Sequence, residues 1–192
     1  MKTVVLITGT NAVGKSTLAR AIMDLLGGID RTEGDVTYVR FERVAFAGRY
    51  DTRFGGVDRI TNENGSSCTS ALAGVVEEGL RHADTIFCEG MYLNTFGLNL
   101  ANALFKGDRQ LIVSLWADPL TIYQRIVARS NGKANDGKRA WKTIMNKQLQ
   151  AMRSALKWQS IGVPVLQLNT GELDTAHLAE AVLRKVKEVC GR

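Results

Sequence analysis

Apolar and polar positions along the chain fall into two alternating rhythms. Thr3–Thr8 is a continuous β-branched and apolar run, the mark of a strand buried on both faces. Residues 36–41, 84–88, 110–116 and 163–168 repeat that signal. Between them apolar residues recur every third or fourth position, which predicts helices. Leu18, Ile22, Leu25 and Leu26 share one helical face, and Leu72, Val75, Val76 and Leu80 share another over Cys68–His82, with Ser66 and Ser67 as caps. A weaker helix is predicted over 94–105, and one carrying Ile122, Ile126 and Val127 starts at Asp118-Pro119, a cap followed by proline in the first turn. Trp141, Ile144, Met145, Leu149, Met152 and Leu156 mark a long amphipathic helix, and Leu178, Val182, Val186 and Val189 a last one over 174–189. Strand alternating with helix predicts one α/β domain spanning residues 1–192, a five-stranded parallel sheet with helices on both faces. In such a sheet ligands bind at the carboxyl ends of the strands. Residues 42–65 show neither rhythm. A stretch so long and so rich in Gly, Arg and Asp is uncommon in a compact domain unless it binds something.

Composition narrows the class. The chain has 192 residues, 45% of them apolar, with two prolines, so it can bury a substantial core. No apolar run approaches the ~18–20 residues a membrane span needs. Met1-Lys2 leads straight into a strand without a signal-peptide pattern, and a cytoplasmic setting is the expectation. Cys68, Cys88 and Cys190 are odd in number and far apart, so no zinc or disulfide framework is readable. His82 and His177 read as structural or solvent-facing. Net charge is +6, yet residues 121–160 hold nine Lys or Arg against one acid, Asp136. That segment is either a solvated basic helix or a surface for polyphosphate or nucleic acid.

Chemistry enters at residues 9–17, Gly-Thr-Asn-Ala-Val-Gly-Lys-Ser-Thr, which fit G-x-x-x-x-G-K-[ST] without mismatch between a predicted strand and a predicted helix. Gly9 and Gly14 permit backbone angles that a side chain penalises. The N–H groups of Asn11, Ala12, Val13 and Gly14 and of the first helical turn are unsatisfied donors at a helix N-terminus, suited to a phosphate. Lys15 is expected to reach the β- and γ-phosphates, Ser16 to help hold Mg²⁺, and Thr17 to bond the phosphate or its own helix. Glu89, closing the third predicted strand, is the candidate for supporting Mg²⁺. Asp58, after a Gly-Gly bend, is the first candidate for a general base, with Asp51 and Glu42 as alternatives. Arg125 and Arg129 precede a basic loop over about 130–139, carrying Lys133, Lys138 and Arg139. It reads as a short lid that neutralises a moving phosphoryl group and excludes water.

On the glycine loop, on Phe87-Cys88-Glu89-Gly90 and on the Arg125/Arg129 pair before a basic lid, the chain resembles the P-loop kinase superfamily, in particular its nucleoside, nucleotide and small-molecule kinases. The resemblance implies an ATP-dependent phosphotransferase with an alcohol acceptor, using ATP and Mg²⁺, whose acceptor site forms after strands two and three. More narrowly, residues 49–58, Arg-Tyr-Asp-Thr-Arg-Phe-Gly-Gly-Val-Asp, are similar to a segment of bacteriophage kinases that phosphorylate 5-hydroxymethyluracil in DNA, a step of thymine hypermodification. That likeness implies DNA as acceptor, contacted by Arg49, Tyr50, Asp51, Arg53, Asp58 and Tyr92, with aromatic rings available for stacking. A kinase for a free nucleoside, nucleotide or metabolite is the alternative. An ATPase or GTPase switch is a third reading, though the chain lacks the guanine-selecting Asn-Lys-x-Asp motif.

Overall fold

The computed structural model of the protein describes residues 1–50, 56–60, 68–129 and 137–191. Its first strand, β1 (Thr3–Thr8), lies at the middle of a seven-stranded sheet. In chain order the other strands are β2 (Ile29–Glu33), β3 (Val36–Val39), β4 (Val44–Ala47), β5 (Thr85–Glu89), β6 (Arg109–Trp116) and β7 (Val165–Asn169). The order across the sheet is β2-β3-β4-β5-β1-β6-β7. Five neighbours, β4 to β7 across β1, run parallel, while β2 and β3 pair antiparallel at one edge.

The sheet therefore has seven strands where five were expected, and one expected parallel strand is a different segment. Residues 36–41 were predicted as the second parallel strand, but Val36–Val39 runs antiparallel. The parallel place belongs to β4, from the stretch predicted to be irregular. Val-Ala-Phe-Ala is short, and alanine is a poor strand former, so its signal is faint. β2 is polar, with Asp30, Arg31 and Glu33 exposed, as suits an edge strand that must not pair with another chain. Gly34, at φ +55, lets β2 turn into β3 through a two-residue loop.

Side chains alternate across β1: Val5 and Ile7 enter one core, Val4 and Leu6 the other. The first core lies under α1 (Lys15–Leu25) and α6 (Thr175–Cys190), and the second under α2 (Cys68–His82) and α3 (Leu98–Leu104). α4 (Pro119–Arg129) and α5 (Gly137–Ser160) complete the shell. Caps form where expected: the Asp118 carboxylate accepts from Leu120 N at 2.8 Å and that of Asp174 from His177 N at 2.9 Å. The helix predicted over 94–105 is present but shorter, as α3, with a 3₁₀ turn, Met91–Asn94, before it. α5 differs more. It buries Ile144, Ala151, Ala155 and Trp158, while Trp141, Met145, Leu149, Met152 and Leu156 are exposed. Small alanines fit the helix closely against the sheet, so the bulky stripe that gave the sequence signal faces outward.

Candidate active site

The loop after β1 and the start of α1 form the candidate phosphate cradle. Gly9 adopts φ +139, and a Cβ there would lie 2.7 Å from the Leu115 carbonyl and 2.8 Å from Val13 Cγ1. Gly14 adopts φ +105 with open space around it, so its requirement is conformational. The loop is pinned from outside by Asn94. The Asn94 amide accepts from Gly9 N at 2.7 Å and donates to Gly9 O at 2.9 Å. Thr170, after β7, donates to Val13 O at 2.7 Å. The buried Lys15 ammonium donates to the loop carbonyls of Gly9 (2.9 Å) and Thr10 (3.0 Å). Burial pushes its pKa down, and the neighbouring carboxylates of Glu89 and Asp58 partly offset this.

Glu89 ends β5 beside Lys15, in register with Ile7 of β1. It is 2% exposed, and burial raises its pKa to about 7 against the pull of the Ser16 hydroxyl and of Lys15. Glu89 Oε1 is buried with no hydrogen-bond partner among the described residues. The Tyr50 hydroxyl is close enough to bear on this carboxyl, yet it also lacks a partner of hydrogen-bond geometry. An orphan carboxylate oxygen next to a serine hydroxyl is a hard oxygen donor set, which fits Mg²⁺. Mg²⁺ is typically held by one or two carboxylates together with substrate phosphates. Among the described residues no three His, Cys, Asp or Glu side chains group as a cage for a metal.

Glycine packing brings Asp58 to the same place. Gly48 abuts Gly56, and a Cβ on Gly56 (φ +81) would fall 2.5 Å from Glu89 Oε1. A Cβ on Gly90 would fall 2.9 Å from Asp58 Oδ1. Asp58 is exposed, and its charge is felt by both Glu89 and Lys15. Lys15, Ser16, Glu89 and Asp58 thus meet at the carboxyl ends of β1 and β5. Lys147 of α5 and Arg129 of α4 stand near enough to lower the Lys15 pKa further.

Other predicted residues are placed differently. Glu42 lies at the amino end of β4, in a pocket with Arg43, Asp84 and Lys187, across the sheet from the phosphate loop. The strand expected to deliver it, β3, runs the other way, so Glu42 is not positioned to act as a base. Tyr50 is buried against Phe46 with Arg20 over its ring, so it supports Glu89 and does not stack on a substrate. Arg125 donates to Thr170 O (2.7 Å), Thr170 Oγ1 (3.0 Å) and Val13 O (3.5 Å), bracing the loop after β7 against the phosphate loop. Arg129 is exposed and lines a cleft of about 560 Å³ with Ser16, Thr17 and Arg20. Arg49 and Tyr92 are exposed. Asp51, Arg53 and the lid loop 130–136 lie outside the described residues, while Gly137–Arg139 of the expected lid begin α5. Asn94 and Thr170 were missed in the sequence. Thr170 follows a strand whose loop was expected at this edge, whereas nothing in the local pattern marks Asn94.

A family model described as "AAA domain" matches residues 1–114. No curated protein sequence matches the chain. Among solved structures, YorR protein from Bacillus subtilis, crystallised with phosphorylated GDP, is similar over 96% of this chain and 95% of its own, at 14% identity and TM-score 0.56. A sugar kinase from Janibacter sp. covers 97% of this chain and 95% of its own, at 14% identity and TM-score 0.54. Shikimate kinase from Acinetobacter baumannii, in complex with shikimate, covers 98% and 94%, at 14% identity and TM-score 0.52. These likenesses establish the fold: a parallel-rich α/β sheet of the kind found in P-loop kinases.

Proposed function

The chain belongs to the AAA-domain family, and from that premise and the grouping around Lys15 we propose that it is an ATP-dependent phosphotransferase with an alcohol acceptor. One observation carries this reading: Lys15, Ser16, Glu89 and Asp58 converge at the ends of β1 and β5, a phosphate cradle and two carboxylates in different surroundings. The backbone N–H groups of the loop bind the donor phosphates. Lys15 exchanges its loop carbonyls for phosphate oxygens. Ser16 and Glu89 would hold Mg²⁺, which supplies positive charge against the charge building on the phosphates. Asp58, exposed where Glu89 is buried, accepts the acceptor's hydroxyl proton as its oxygen bonds the γ-phosphorus. The bond from that phosphorus to the β–γ bridging oxygen breaks, and ADP leaves. Arg129 faces the same cleft and balances charge on the moving group.

A small-molecule acceptor with a free hydroxyl, nucleosides and nucleotides included, is the first choice. The sugar and shikimate kinases that share the fold over nearly the whole chain support it. A second acceptor, the 5-hydroxymethyl group of 5-hydroxymethyluracil in DNA, is favoured by one feature. α5 carries Lys142, Lys147, Arg153 and Lys157 and has no acid along its whole length, a charge pattern suited to a polyanion. The test is γ-labelled ATP offered side by side with free nucleosides, nucleotides, sugars and DNA containing 5-hydroxymethyluracil. Label is expected in one acceptor class with wild-type protein and in none with Lys15→Ala. Label appearing only as inorganic phosphate would favour an ATPase instead.

A further inference from the structure

Beside Asn94, the residue that pins Gly9, a pocket of about 520 Å³ runs between the turn after β5 and one face of α5. Phe96 lines one side; Gln150, Arg153, Ser154 and Lys157 line the other. No acidic side chain lines it, and neither Arg153 nor Lys157 forms an ion pair among the described residues. Ser154 is 5% exposed, and among the described residues neither its buried Oγ nor the indole N–H of Trp158, one turn on, has a hydrogen-bond partner. Trp158 packs on Phe96 with ring centroids 4.6 Å apart, and the Lys157 ammonium lies 5.9 Å from the Phe96 centroid.

Two cations on one pocket face, without an acidic partner among the described residues, point to an anionic ligand. Arg153 and Lys157 stand one helical turn apart on the same face. A guanidinium fork and an ammonium together suit a tetrahedral oxyanion better than a single planar carboxylate, which one arginine alone satisfies. Phe96 adds a flat apolar wall for a ring attached to that oxyanion. Through Asn94 the pocket shares a wall with the phosphate loop, so an occupant can extend toward the reaction centre. None of these residues belongs to the donor cradle.

We infer that this pocket is an anchoring site for a phosphate group carried by the acceptor, with Arg153 and Lys157 holding the phosphate and Phe96 the adjoining base. The inference rests on the phosphotransferase reading and narrows it: the acceptor is a nucleotide or a nucleic-acid strand, and a neutral nucleoside or sugar lacks the group the pocket holds.

The test is equilibrium binding by the full chain, with the donor site saturated by a non-hydrolysable ATP analogue. The probes are thymidine, its 5′-monophosphate and the pentanucleotide dT5. The phosphorylated probes are expected to bind about tenfold or more tightly than thymidine. Arg153→Ala/Lys157→Ala is expected to remove that preference while leaving affinity for the ATP analogue unchanged. Both side chains are exposed, so the double variant should fold, and its unfolding temperature checks that it does. Preference for the monophosphate identifies a free nucleotide as the source of the phosphate, and preference for dT5 a strand; either supports the site. Equal binding of thymidine and its monophosphate, with dT5 no better, overturns it, as does an undiminished preference in the double variant. Binding is read without turnover, so a protein that transfers no phosphate to any acceptor would refute the phosphotransferase reading and leave this measurement to stand or fall alone.

Discussion

Replacing Glu89 by Gln should produce a protein that is more stable and much less active. Glu89 is almost fully buried, with a pKa raised from 4.5 to about 7, chiefly by burial. Between those pH values the folded chain keeps a proton that the unfolded chain has released, so stability falls as pH rises through the window. The displacement corresponds to about 3 kcal/mol once both states are ionised. Gln cannot ionise and escapes that loss. The attraction to Lys15 is already contained in the pKa of about 7, so the net stabilisation well above pH 7 should be about 3 kcal/mol. For a chain of this size that raises the unfolding temperature by about 6–12 °C. The assay is thermal unfolding of nucleotide-free wild type and Glu89→Gln, with chelator, from pH 4.5 to 8.5. Taking the difference between the two proteins cancels the titrating groups that Glu89 does not influence. The curves should approach each other near pH 4.5 and separate upward to pH 8, with Mg²⁺-ATP stabilising wild type more than the variant. Parallel curves, or a variant less stable at every pH, would refute the burial argument.

Asp58→Asn should lower turnover by about 10²–10⁴-fold with ATP affinity nearly intact, measured by steady-state kinetics beside direct nucleotide binding. Gly56→Ala should destabilise the fold by about 2 kcal/mol or more, read by denaturant unfolding, because φ is +81 and the new Cβ would press on Glu89 Oε1. Asn94→Ala removes two buried hydrogen bonds to Gly9. It should cost about 1–3 kcal/mol of stability and weaken ATP binding, both followed by thermal shift with and without nucleotide.

The donor half of the site was legible because its chemistry is local. A strand, six loop residues and a helix within the first 25 positions contain the whole candidate cradle, and β1, α1 and α2 fall on their predicted segments. Glu89 was legible for the same reason, at the end of a strong strand pattern. The acceptor half depends on pairing direction, which hydrophobic rhythm does not encode. Val36–Val39 and Val44–Ala47 are both apolar, and only the sheet reveals which one runs parallel to β1 and which end faces the phosphate loop. That is why Glu42 read as a candidate base and lies instead at the opposite end of the strands. Tyr50 was expected to contact the acceptor because of the resemblance of residues 49–58, yet its ring fills the core beside Phe46. On α5, periodicity located a face of large apolar residues but gave no sign that alanines and Trp158 would meet the sheet in their place.

If Lys15, Glu89 and Asp58 move a phosphoryl group to an acceptor hydroxyl and not to water, the fate of the γ-phosphate in a single turnover reveals it: the fraction bonded to acceptor against the fraction released as inorganic phosphate, for wild type and Asp58→Asn. Wild type is expected to send most of the label to the acceptor, with one ADP formed per acceptor modified, and Asp58→Asn to lose this transfer. Release of all label as inorganic phosphate, whichever acceptor is present, would contradict it.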